Sequence, residues 1–126
     1  MKLHPDRPSV QTISGYGEGW ITVDGERIDR SVVLGSAGQR IDWRCERFTD
    51  LGAAHFLQLA QLDTELVLFG SGKLLRFPPV AWLAPLMQRG IGFETMDTYA
   101  ACRTYNILAA EDRRIMAALL LEAPDR

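Results

Sequence analysis

Two short segments of this chain, Gly70-Ser71-Gly72-Lys73 and Met96-Asp97-Thr98, combine residue types and spacing that suit binding chemistry. Glycines let a backbone approach a ligand closely, exposed amides can face an anion, and Lys73 adds a positive charge. The spacing fits neither a phosphate-binding loop nor a dinucleotide fingerprint, so a tight turn leading into Phe77-Pro78-Pro79 is the simpler account. Asp97 stands where a long helix should open. Its carboxylate can accept the first-turn amides as a cap or leave them to a phosphate, and the cap is the stronger expectation. Further along, Arg103 and Asn106 are three apart and share a face with Tyr99. An arginine beside an asparagine and a phenol can grip a carboxylate or a backbone loop. A solvated face, or an internal tie between helix and loop, is the competing account.

Other reactive groups offer less. Cys102 falls near the start of the same helix, where an exposed thiol would be acidified, but a small buried cysteine is the better expectation. Neither His4 nor His55 is placed to serve it as a base, and Glu94 has no second carboxylate arranged for acid–base work. Cys45 and Cys102, 57 positions apart, make no disulfide framework, and two histidines do not complete a zinc set. The candidate ligand or partner surface is therefore Gly70, Ser71, Gly72, Lys73, Asp97, Thr98, Arg103 and Asn106, with no catalytic, metal or cofactor set expected.

The elements that must carry these residues can be read from patterning. Trp20–Val23 and Glu26–Ile28 flank Asp24-Gly25, a pair that tolerates the positive φ angles of a two-residue hairpin turn. Beyond it, Ile28, Val32 and Leu34 share one face, with Arg27, Asp29 and Ser31 on the other. From Arg40 to Glu46 the chain alternates, Ile41, Trp43 and Cys45 against polar neighbours, which predicts a half-buried strand. Thr49 can cap a short helix presenting Leu51, Leu59 and Leu62. Leu66–Phe69 is uniformly apolar, as in a strand covered on both faces. Pro79 can start a helix with Val80, Leu83, Ala84 and Met87 in one stripe, kinked at Pro85 and ended by Gly90. A strand over Ile91–Met96 comes after it. A helix over Asp97–Asp112 is next, with a core stripe of Ala101, Tyr105, Leu108 and Ala109, and Ile115–Leu121 supplies the last strand. The charge run Glu111–Arg114 marks a solvated boundary. Strand, helix, strand, helix, strand implies an α/β fold. A central mixed sheet has helices on its faces, the first two of these strands parallel and the third free to run either way, fed by an N-terminal antiparallel hairpin.

The 126 residues suit a single domain over 1–126, and 47% hydrophobic with 24% charged content is that of an ordinary folded protein. Fourteen basic against 16 acidic residues, for a charge of −2, argue against nucleic acid as the partner. The alternating charges at Arg40, Asp42, Arg44, Glu46 and Arg47 are expected to be a solvated strand face. No apolar run is long enough for a membrane span, and the opening Met-Lys-Leu-His-Pro predicts neither a secretion signal nor a mitochondrial presequence. A reduced, cytoplasmic protein is expected.

From Gly70 onward the chain resembles a known family. Gly70-Ser71-Gly72 with Phe77-Pro78, then Ile91-Gly92-Phe93-Glu94-Thr95-Met96-Asp97-Thr98, then Ala101-Cys102-Arg103-Thr104-Tyr105-Asn106-Ile107-Leu108 and Glu111 are similar to its core pattern. This is a small domain family of unknown function that includes mitochondrial complex I assembly factor 3 and an adipogenesis-associated human relative. The resemblance implies an α/β fold with a mixed sheet between layers, and a role as assembly partner rather than enzyme. Ser71 stands where threonine is more usual. Tyr99 stands where small residues are common, which narrows any opening beside Asp97. The expected function is a non-enzymatic protein-interaction or assembly-factor-like module whose partner is another protein, with homodimerisation left open. The alternative is a binder or enzyme for a small anionic ligand between the Gly70 loop and the Asp97 helix start.

Overall fold

A computed structural model of the chain describes residues 10–124. Lys2, His4 and the rest of the opening segment, on which the leader expectation rests, lie outside them. Eight strands form two sheets. β1 (Ile13–Gly17), β2 (Trp20–Val23) and β3 (Glu26–Ile28) make an antiparallel three-stranded sheet in that order. β4 (Val32–Gly35), β5 (Arg40–Asp42), β6 (Leu66–Gly70), β7 (Gly92–Met96) and β8 (Ile115–Leu119) make a mixed sheet in the order β5-β4-β8-β6-β7. β6 runs parallel to both β7 and β8, whereas β4 runs antiparallel to β8 and β5. The expected hairpin is β2–β3, turning at Asp24 and Gly25 with φ of 50° and 87°. It joins β1 in a sheet of its own and does not extend the mixed one. The polar, glycine-punctuated sequence of β1 gives little strand signal: only Ile13 is buried in it.

The mixed sheet is covered on both faces. On one, α3 (Thr98–Ala110) and the three-stranded sheet bury Ala101, Cys102, Tyr105, Ile21 and Val23 against Leu34, Leu68, Ala117 and Leu119. On the other, α1 (Ala53–Ala60) and α2 (Ala84–Gln88) bury Phe56, Leu59 and Leu86 against Val67, Phe69, Met116 and Ala118. Residues alternate between the two cores along β6 and β8, which is why both strands are apolar throughout. Phe56 is fully buried in an edge-to-face set with Trp43, Phe69 and Phe93. Removing such a ring typically costs about 3–5 kcal/mol.

Four local expectations differ from what forms. β5 stops at Asp42. Trp43 and Cys45 stay buried as the alternation predicts, but Cys45 N–H turns back to Trp43 O and ends the ladder. Ser31, expected on the polar face, is 3% exposed because its Oγ accepts from Leu121 N–H. Thr49 caps nothing. It lies inside a 3₁₀ turn, Phe48–Asp50, whose Asp50 carboxylate accepts from the amides of Glu46 and Arg47, and α1 starts only after Gly52. There His55 accepts from Gly52 N–H through Nδ1 and meets Arg44 O through Nε2. Finally, the segment after Pro79 is a 3₁₀ turn, Val80–Leu83, that passes into α2. Three residues per turn shift the phase of the stripe, so Leu86 faces the core while Val80 and Met87 point outward. Pro85 sits in the first turn of α2, where its missing N–H is tolerated.

Candidate functional site

β6 leads toward α2 on one face of the sheet and β7 leads into α3 on the other. Adjacent parallel strands whose connections diverge in this way usually leave a crevice beyond their carboxyl ends, and crevices of this kind hold ligands in open α/β sheets. Here the crevice is laced shut. Ser71 N–H donates to Met96 O at 2.8 Å and Thr98 N–H to Gly72 O at 2.8 Å. Thr98 Oγ accepts from Gly72 N–H and donates to Leu120 O, each at 2.8 Å. The Gly72 amide, which an anion would have used, is thus taken by Thr98. Gly70 is packed so closely that a Cβ there would lie 3.0 Å from Thr98 Cα. The remaining space beside Gly72, Lys73, Thr98 and Tyr99 is about 10 Å³, room for no more than one water.

Asp97 is the helix cap: its carboxylate accepts from Ala100 N–H at 2.9 Å. Lys73 reaches Glu18 at 3.7 Å. Asn106 is an internal tie. It accepts from Ile13 N–H at 2.9 Å and donates to Ile13 O at 2.8 Å, gripping β1 as a neighbouring strand would. Arg103 donates to Tyr16 Oη at 2.9 Å, and Tyr16 stacks on Tyr99 with ring centroids 5.4 Å apart. The structure therefore brings Gly70, Ser71, Gly72, Asp97 and Thr98 together at the strand ends. Arg103 and Asn106 lie along α3, holding the three-stranded sheet.

Burial, above all, raises the Cys102 thiol to about 12 and the Cys45 thiol to about 11, so both are protonated at neutral pH. The larger open cleft lies elsewhere: about 640 Å³ between Asp29–Ser31, Asp42–Glu46 and the Leu121–Ala123 segment. Arg30 and Arg44 share it with Asp29, Asp42 and Glu46, so its walls carry both signs and select no single ligand charge.

Patterning did not anticipate the apolar display just beyond the Gly70 loop. Leu74 is 60% exposed, Leu75 55%, Phe77 67% and Val80 74%, with Met87 of α2 at 62%. The loop that carries them is fastened. Ser71 Oγ donates to Leu74 O at 2.7 Å and accepts from Arg76 N–H at 2.9 Å. The Arg76 guanidinium holds Ser71 O and the Glu122 carboxylate and lies 4.8 Å over the Phe48 ring. Pro78 is buried. Single exposed apolar residues are ordinary on a protein surface, but here five fall within a stretch of fourteen, three of them on or beside the fastened turn. The available signal was Leu-Leu-Arg-Phe ahead of two prolines: apolar residues in a segment unable to form helix or strand.

Residues 13–120 match a protein family described as of unknown function, DUF498/DUF598. An uncharacterised protein of Rhodobacter capsulatus is 36% identical over 86% of this chain and 82% of its own length. The mouse NADH dehydrogenase [ubiquinone] 1 alpha subcomplex assembly factor 3 is 31% identical over 94% of this chain, which spans only 64% of that protein. Among solved structures, a crystal structure of a Bordetella parapertussis protein superposes with a TM-score of 0.83 at 35% identity, covering 91% of this chain and 98% of that one. No helix among the described residues is long and apolar enough to cross a membrane.

Proposed function

This chain belongs to the DUF498/DUF598 family, and on that basis we propose that it is a non-enzymatic protein-interaction module of the assembly-factor kind, acting as a single cytoplasmic domain. The observation that carries the proposal is the fastened apolar loop beside Gly70, which displays Leu74, Leu75, Phe77 and Val80 to solvent. Such surfaces usually serve association. The relatives named as assembly factors support the same role, and the laced crevice and protonated thiols offer nothing that competes with it.

Native mass spectrometry on protein isolated gently from its own host tests the proposal. A second polypeptide at fixed stoichiometry is the expected result. A bare chain, or a retained mass of a few hundred daltons lost in a Lys73→Ala or Arg103→Ala variant, would overturn it, the latter in favour of a small-ligand site.

A further inference from the structure

Resting on the interaction role proposed above, we infer that the partner is an acidic polypeptide segment with apolar side chains of its own, and that it docks on Leu74, Leu75, Phe77, Val80 and Met87. The segment from Leu66 to Phe93 contains no aspartate or glutamate and three bases, Lys73, Arg76 and Arg89. The remainder of the chain then carries 11 basic and 16 acidic residues, so the charge of this region is opposite in sign to that of the rest. Carboxylates from elsewhere reach two of the bases, Glu18 to Lys73 and Glu122 to Arg76. Arg89 donates to Ala60 O at the end of α1 and has no carboxylate within ion-pair distance among the described residues. The 3.7 Å pair between Lys73 and Glu18 is at the surface, with side chains 39% and 51% exposed, and a pair of that kind exchanges partners at little cost.

An apolar centre with cations at its margin selects a partner whose apolar side chains are flanked by acids, because complementary charge steers the encounter and like charge opposes it. That rule disfavours a contact that sets this region against itself in a second copy, where Lys73 and Arg89 would meet their own kind. It disfavours an anionic membrane as well, because three bases, two of them already held by Glu18 and Glu122, fall short of the roughly four to eight clustered bases that anionic lipid surfaces call for. The display is also prepared in advance. Leu74 and Leu75 sit on a turn closed by Ser71, and Phe77 lies between the anchored Arg76 and the buried Pro78. Little ordering entropy is therefore lost on binding.

The test is a photo-crosslinking amino acid, benzoylphenylalanine, placed at position 77 in the full chain in its native host. The control position is 107, an equally exposed apolar site on α3 across the sheet. The expected result is one crosslinked polypeptide from position 77 and none from 107, with a crosslinked peptide richer in aspartate and glutamate than in lysine and arginine. Val80→Asp and Lys73→Glu should each lower its yield at least about fivefold. Both change exposed side chains, so an unchanged melting temperature separates lost binding from lost folding. Crosslinks from position 77 to lipid, to a second copy or to a basic peptide would overturn the inference. Capture from 107 alone would overturn it while sparing the interaction role, and no capture from either would count against both.

Discussion

Asn106 has the geometry of a backbone mimic. Its amide satisfies both the N–H and the C=O of Ile13, so β1 lies against α3 as though against another strand. Asn106→Leu leaves both main-chain groups unmatched in a partly buried seam and should lower stability by about 2 kcal/mol in urea titration. Arg103→Ala, at an exposed bond to Tyr16, should leave the urea midpoint nearly unchanged. If the arginine variant proved the more damaging, the tie would have been misassigned. The two residues were equally visible in the sequence, three positions apart on one helix face. Which one does the tying was not, because the partner of Asn106 lies 93 positions away. Asp97, in contrast, was legible as a cap because its partner Ala100 is three residues on.

At the scale of elements, Gly72 links the closed crevice to the displayed loop. It has φ of +99°, and a Cβ there would come within 2.2 Å of Glu122 and 2.4 Å of Arg76. Gly72→Ala should therefore cost more than about 2 kcal/mol, since it strains the backbone and displaces the ion pair that anchors the loop. Chemical denaturation measures the loss, and a variant as stable as the parent would mean the loop yields freely. Strands and helices with strong local patterns, β6 and α3, formed where periodicity put them. The second helix formed too, but of its expected stripe only Leu83 packs inward, while Val80, Ala84 and Met87 face out. Periodicity identifies an amphipathic face without saying which side meets the core, and a 3₁₀ turn entering a short helix breaks the period it assumes. β1 was missed because a strand that buries one side chain in five leaves almost no apolar trace.

At the scale of the whole molecule, the buried acids of α3 set a limit at high pH. Cys102 and Tyr105 are both held up to about 12 by burial, from ordinary values of 9.0 and 10.0, and Cys45 to about 11. The unfolded chain gives up these protons first, so their contribution is fully present below about pH 9 and declines as pH rises toward the folded values. The urea midpoint should fall clearly between pH 7.5 and pH 10, and Cys102→Ala should soften the fall; a flat profile would refute the assignment. The α/β class, the mixed sheet and its flanking helices were all legible from the order of elements. The direction of β8 was not: the crossover rule set β7 parallel to β6, but the last strand was free to run either way until its neighbours in the sheet were known.

That last strand has a consequence for biosynthesis. β8 is the central strand, joining β4 on one side to β6 on the other, and it comes after every other described element in the chain. Until Ile115–Leu119 has emerged from the ribosome, β4 and β6 lack the strand that joins them. Chains emerge at about 5–20 residues per second, and unpaired strand edges invite wrong partners during that interval. Any delay before this stretch emerges prolongs the vulnerable state, and a delay after its emergence does not.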